Sequence, residues 1–561
     1  MKRLLLIYII GIMAGCMRLA AQTTEPRFGV PFDFPLYLSG NFGELRSNHF
    51  HGGLDFKTQG VVGKPLLAIA DGYISKVTVT PGGYGNALYL THDNGYTSVH
   101  GHLDRFLPEI AELVHKKQYE EQTFAVTLEF GPDEFRFRQG EVVAYAGNTG
   151  YSFGPHLHME IRKTATNEPI DPLPFYMDKI TDNIAPRATR IMVYGCVNTS
   201  ISRSSLSTPI TLSPQQLRDV PILAWGRISA AISANDYMNG THNNYGVRYV
   251  RLYVDDRLVS SSDVDRFSFD ENRLINSWTD FAEYRRSGRW YMRSAVAENN
   301  PLRMLRATDN GWVTIDEERD YHFRYELEDL YGNRSTYRFV VRGKRMDIPQ
   351  RLPNYFYYMD ASRDNRFYTN GFELWLPQGS LFDDVELDYE VLPSESAVDC
   401  TSHYRLSQTP QPLWHAAEIT IPFFEDCDID PSKLYIARVD GKRRVYCGGT
   451  YEYGHIKANI TELGTYTVCA DTIPPKITPI GSTSWRKQGR VVCRIGDSQS
   501  GIRSYRGTID GKWVLFKYSS KNARLWCDLK AEGIARGKHA IEIVVEDMRR
   551  NERRLALNCD L

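Results

Sequence analysis

Three short stretches carry histidine or aspartate at even spacings among glycines, and they constrain the fold more than any other feature: His51-Gly-Gly-Leu-Asp55, His100-Gly-His102 and His156-Leu-His158. In an extended chain, residues two or four apart share a face, so each stretch can aim two side chains at one point if it is a strand. A helix is excluded for the first stretch, because Gly52 and Gly53 would each cost it about 1 kcal/mol. His51 also lacks the neighbouring Glu and the second His that a helical His-Glu-x-x-His site needs. Eight of the 14 histidines fall between His49 and His158, a clustering that points to a metal or catalytic site.

The remainder of the sequence reads as mainly β. At roughly 150 residues per domain, 561 residues suggest three or four domains. Short alternating runs such as Phe372-Glu-Leu-Trp-Leu376 and Leu434-Tyr-Ile-Ala-Arg-Val439 are bounded by Pro, Gly and Asp turns, as in strands. A few helical pieces are expected, for instance Leu107 to Tyr119. Two segments read as copies of one another. Asp182-Asn-Ile-Ala-Pro186 matches Asp471-Thr-Ile-Pro-Pro475, Gly246 to Arg251 with Asp255 matches Gly501 to Arg506 with Asp510, and Asp329…Asn333 matches Asp547…Asn551. The expected division is a signal peptide at 1–21, a first domain at 22–180, a β-sandwich module of immunoglobulin-like type at 181–345, an intermediate β module at 346–470 and a second β-sandwich module at 471–561.

Lys2 and Arg3 precede an uncharged run from Leu4 to Met17, which reads as an export signal. Two processing outcomes stay open: cleavage after Ala21, or a lipoprotein box with a lipid on Cys16. No span is expected to cross a membrane in the mature chain, which is placed in the periplasm or cell envelope. Lys plus Arg number 67 against 68 Asp plus Glu, so the basic excess that phosphate-backbone binding requires is missing and nucleic acid is excluded as a partner. The eight cysteines from Cys196 onward are expected to be structural and able to pair as disulfides.

With the motifs in hand, the chain resembles the lysostaphin-like, LytM-type zinc endopeptidases that cut peptidoglycan peptides. His51-Gly-Gly-Leu-Asp55 fits the family's His-x-Gly-x-Asp, Val99-His-Gly-His102-Leu its Tyr-x-His-Leu, and Gly154-Pro-His-Leu-His158 its Gly-x-His-Leu-His. The resemblance spans about residues 40–172 only. It implies a small antiparallel β peptidase domain in which His51, Asp55 and His158 bind one zinc and His102 and His156 are the catalytic histidines. Because the motifs carry no free Glu, one of those two imidazoles should take the proton of water while the other stabilises the oxyanion. Which does which stays open.

Peptidoglycan peptides are the implied substrate, and the carboxy-terminal modules would position the enzyme at the wall or on other envelope proteins. That tail is expected to be dispensable for cleaving a small soluble muropeptide. The alternative is a catalytically silent LytM-type protein that binds wall or activates another hydrolase. Glu160 is expected to orient a ligand or a neighbour. His100, where the family usually carries an aromatic, is expected to line the groove. The long stretch from Asp104 to Gln139 should add a hairpin that forms a groove wall or covers an edge strand.

Overall fold

The computed structural model describes residues 27–561 except 196–199, 202–209, 217–221, 348–354, 395 and 424–428. The export segment with Cys16, and also Cys196 and Cys427, lie outside the described residues. Among the described residues the chain is mainly β, in sheets that are antiparallel but for one pairing of residues 222–224 with 341–343. No helix among the described residues is long and apolar enough to cross a membrane.

The amino-terminal domain is built on a nine-stranded sheet. Its main path runs Leu38–Gly40, Leu54–Lys57, His156–Lys163, Tyr96–Gly101, Asn86–His92, Gly72–Val79 and Val126–Glu129. Alternating apolar residues drive these segments into strands, and Phe56, Ile74, Val77, Leu88, Leu90, Leu157, Met159 and Ile161 meet in one core. The strand His156–Lys163 lies centrally, with His158 directly opposite Asp55 on one neighbour and opposite Gly101 on the other. Directly opposed residues on paired strands share a face, so this register brings Asp55 and His158 together.

The helix predicted from Leu107 to Tyr119 runs Pro108–Glu121. Pro108 occupies the first turn, where its missing N–H is no loss, and Ile110, Val114 and Gln118 bury one face at four-residue spacing. Beyond it, Val126–Glu129 and Arg136–Phe137 both pair with Gly72–Val79. The long insertion therefore covers that strand's edge, two strands away from the one that carries His102 at its end.

Downstream, the chain forms further β layers. Two five-stranded sheets run through residues 365–470, and two four-stranded sheets through 476–560. In the last pair, Val491, Cys493, Leu525 and Cys527 of one sheet pack with Ile509, Ile541, Ile543 and Val545 of the other, as in a sandwich. The two sequence copies share a local plan. Tyr249–Val254 pairs with Asp320–Glu328 and Ile502–Ile509 with Lys538–Asp547; each partner then turns through its Asp-x-x-x-Asn into the next strand. Cys447, Cys469, Cys493, Cys527 and Cys559 are free thiols, so the expected pairing does not occur at these positions.

The first β module does not stand apart from the amino-terminal domain. Phe42 and Phe50 leave their own domain's core and pack with Phe267, Trp278 and Val264 of that module. In return, Met238 and Tyr245 join the core of the amino-terminal domain. Asn41 Nδ2 donates to Gly246 O at 2.9 Å while Gly246 N donates to Asn41 Oδ1 at 2.8 Å, and Tyr245 Oη donates to Leu38 O. The tail is therefore not packed as a separate body, because two aromatic side chains flanking the His51 loop are seated in the next module.

Candidate active site

His51, Asp55 and His158 come together from three places. Asp55 and His158 are the opposed pair on neighbouring strands, and His51 reaches them from the loop before Leu54–Lys57. His51 and Asp55 thus meet without sharing one strand. Gly53 makes the approach possible, since a Cβ there would sit 2.2 Å from Met159 O; at Gly52 it would press on the Glu160 carboxyl at 3.1 Å.

The three facing atoms are His51 Nε2, Asp55 Oδ1 and His158 Nδ1, each 3.0 Å from the other two. Their partners on the far side fix the tautomers. His51 Nδ1 faces Asn41 O at 2.6 Å and His158 Nε2 faces Glu160 Oε1 at 2.9 Å, so these nitrogens carry the protons and the inward ones carry lone pairs. With both rings neutral, three acceptors converge with no donor among them, an arrangement that requires a positive charge. Without an ion, a proton on His158 supplies that charge. Burial opposes a charged Asp55, yet His51 and His158 hold it well below the usual carboxylate range. Burial likewise opposes a charge on His158, yet its hydrogen bonds to Asp55 and Glu160 raise it to about 9. Nitrogen and carboxylate donors in this number fit zinc with an open position.

Glu160 is the hub behind His158. It accepts from His158, from Tyr84 Oη and from Arg162 Nε at 2.7 Å. Burial works against its charge, but the His158 bond and the Arg162 guanidinium lower it to about 2. Glu160→Gln is expected to weaken zinc affinity 10–100-fold, the usual effect of losing such a partner, measured by competition with a chelator. An unchanged affinity would show that the carboxylate does not orient His158.

His102 and His156 flank the triad. Their rings are 4.8 Å apart between centroids, and His156 Nε2 lies 3.6 Å from Asp55 Oδ1. His102 Nδ1 donates to Thr149 O at 2.9 Å and His156 Nδ1 to Gly154 O at 2.8 Å, which again leaves both Nε2 atoms as free acceptors. Burial lowers His102 to about 3 and also depresses His156, so both rings are neutral. His100 goes elsewhere. The strand ends at Gly101, His102 turns off it with φ of 61°, and fully buried His100 bonds Ser98 Oγ through Nε2 at 2.9 Å. The expectation that it lines the groove fails because one residue of left-handed backbone breaks the alternation.

The loop holding Thr149 is locked from both sides. Gly150, with φ of 67°, abuts Gly85 so closely that a Cβ would sit 2.3 Å from Gly85 N. Thr149 Oγ1 accepts from Asn86 N and donates to Leu103 O. From the last module, Lys521 Nζ donates to Asn148 O at 3.1 Å and to Ser152 O. We expect Gly150→Ala to displace Thr149 and reduce turnover with zinc still bound; full turnover would mean that the loop does not set the His102 ring. Sequence reasoning missed Tyr84, Arg162 and Lys521, as well as Arg46, whose guanidinium lies 3.7 Å from Asp55 Oδ2. The dense Gly82-Gly-Tyr84-Gly-Asn86 run was the only hint at Tyr84.

A β domain that gathers two imidazoles and a carboxylate beside two further neutral imidazoles has the make-up of a metallopeptidase domain. Residues 49–119 match the model of Peptidase family M23, and the chain carries an M23 domain there. That match includes His51, Asp55 and His102, while His156 and His158 lie beyond its end. Residues 356–471 match a Zu5-like domain. An uncharacterized metalloprotease of Haemophilus influenzae is 34% identical over 110 residues, 20% of this chain and 18% of that protein. The DD-carboxypeptidase/endopeptidase Mpg of Neisseria meningitidis serogroup B is 32% identical over 129 residues, 23% of each chain. This chain therefore spans about a fifth of the length of these curated relatives. Among solved structures, the catalytic domain of lysostaphin from Staphylococcus simulans is 24% identical, covers 24% of this chain and 87% of its own, and has a TM-score of 0.18.

Proposed function

We propose that the chain is a zinc-dependent endopeptidase hydrolysing peptide bonds in the stem or cross-link peptides of bacterial peptidoglycan, exported to the periplasm or cell envelope. The observation that carries the reading is the convergence of His51 Nε2, Asp55 Oδ1 and His158 Nδ1 at 3.0 Å, three lone-pair donors to an ion once His158 gives up its proton, next to two neutral imidazoles with inward lone pairs. The activity printed in the Neisseria relative's name agrees with it.

His51, Asp55 and His158 would hold the ion, each inward nitrogen kept unprotonated by the hydrogen bond behind it. Zinc bound there supplies Lewis acidity, polarising a carbonyl and making water acidic near neutral pH. His102 and His156 do the proton work. Each keeps Nε2 free to accept a proton from water, because its Nδ1–H is tied to a backbone carbonyl, and the ring that gains the proton can then donate to the developing oxyanion or the leaving amine. Beside them, Tyr151 and Phe153 are 62% and 86% exposed on the loop before His156, offering apolar faces to a bound peptide.

The test is His158→Ala. It is expected to abolish stoichiometric zinc, read by elemental analysis, and with it the release of fragments from purified peptidoglycan. Stoichiometric zinc in that variant would remove His158 from the ligand set. A wild-type protein that binds zinc but releases nothing from any peptidoglycan would sink the enzymatic reading.

A further inference from the structure

The two sequence copies each gather three aspartates, Asp182, Asp236 and Asp329 in the first and Asp471, Asp497 and Asp547 in the second. In both, the Asp-x-x-x-Asn turn is clasped alike: Asn333 donates N and Nδ2 to Asp329, and Asn551 donates both to Asp547. Asp182 Oδ1 accepts from Ile184 N as Asp471 Oδ1 accepts from Ile473 N. The copies then diverge. In the second, Asp471 Oδ2 accepts from Ser500 N and Oγ, and Asp497 Oδ2 from Gln499 N and Gly501 N. In the first, Asp182 Oδ2 and Asp236 Oδ1 are buried without any hydrogen-bond partner.

These are not surface acids. Asp182 is 8% exposed, Asp236 2% and Asp329 3%, and one oxygen from each lies within 4.8 Å of the others. They line a cavity of about 10 Å³, close to the room one water-sized sphere needs. Arg248, the one guanidinium among its lining residues, gives its two Nη groups to Asp171 at 3.0 Å, Asp263 at 2.9 Å and Val264 O at 2.7 Å, while its Nε is buried without a partner. Burial, with the neighbouring carboxylates adding to it, raises Asp236 to about 8 and Asp182 to about 6. Unpartnered buried carboxylates are costly unless a cation joins them.

We propose that Asp182, Asp236 and Asp329 form a calcium site at the seam between the M23 domain and the first β module. The donors are all oxygen, which selects a hard cation over zinc. Three carboxylates offer up to six oxygens, within the range calcium takes, and a cavity of this size does not admit the waters that magnesium keeps. The site would act as a clamp. Asp236 exchanges both backbone hydrogen bonds with Tyr245, whose hydroxyl holds Leu38 O, and Asn41 and Phe42 line the same cavity one turn of chain from the His51 loop.

The test uses the full chain with zinc supplied throughout, stripped of calcium by dialysis, then titrated with Ca²⁺, or with Tb³⁺ excited through tyrosine. Wild type is expected to take one Ca²⁺, with the unfolding midpoint rising by about 2–4 °C at a hundredfold excess over Kd. Asp236→Asn and Asp182→Asn should each weaken uptake at least ~100-fold and lose the shift, as expected when a carboxylate ligand goes. Asp497→Asn should behave as wild type. Tyr331→Phe leaves every aspartate in place but removes the tyrosine that lines the cavity, and so should dim the terbium signal. The proposal is overturned if wild type takes up no calcium, if uptake leaves the midpoint unchanged, or if uptake survives Asp236→Asn and fails in Asp497→Asn.

Discussion

Alanine at His102 is expected to leave one zinc bound while slowing hydrolysis by ~10²–10⁴-fold, the range that removal of a positioned acid–base group typically costs. Three features make the separation clean. The Asp55 and His158 pairing is set by strand register, and His51 is held by Asn41 O, so the triad's hydrogen bonds do not involve His102, which meets His158 by a ring contact alone. The ring contributes a free Nε2 only because Nδ1 is tied to Thr149 O. Its left-handed backbone lies just past a strand end, outside the pairing of that strand with His156–Lys163. Zinc content and fragment release, measured on the same preparation, decide the matter. Parent-rate release with zinc bound would remove His102 from the chemistry, and His156→Ala should then be the variant that fails.

The mainly β architecture could be read from the chain because the evidence for it is local: alternating apolar runs, turn residues between them, and even-spaced histidines. The same rule misled at His100, where two residues of one His-x-His pair part company. His156 and His158 lie within one strand and keep their common face, whereas the strand carrying His100 ends before His102. Glu160, Tyr84 and Arg162 were harder to read as a unit. Their meeting depends on packing between residues 76 positions apart, and no local spacing encodes it. Two aspartates of each triad were legible as a duplication, but Asp236 and Asp497 were not, and neither triad was legible as a site. Only the hydrogen-bond partners brought in by the fold distinguish the satisfied copy from the one with open oxygens.

Ending the chain before Asp182 is expected to abolish cleavage of small soluble muropeptides, the reverse of what the sequence division suggested. Phe42 and Phe50 would lose their seat against Phe267 and Trp278, and each exposed large apolar side chain costs roughly 1.5–3 kcal/mol against a total stability of about 5–15 kcal/mol. The loss also falls at the site itself. Asn41, whose carbonyl fixes the His51 tautomer, is held in turn by its paired bonds with Gly246. A chain ending after residue 345 keeps both the aromatic seat and that pair, and should retain zinc, though without Lys521 its Asn148–Ser152 loop is left looser and turnover should fall. Circular dichroism, zinc content and muropeptide cleavage on the two truncations provide the comparison. A folded fragment ending at residue 181 that binds zinc and cleaves at the parent rate would show that the shared core is dispensable and restore the detachable tail.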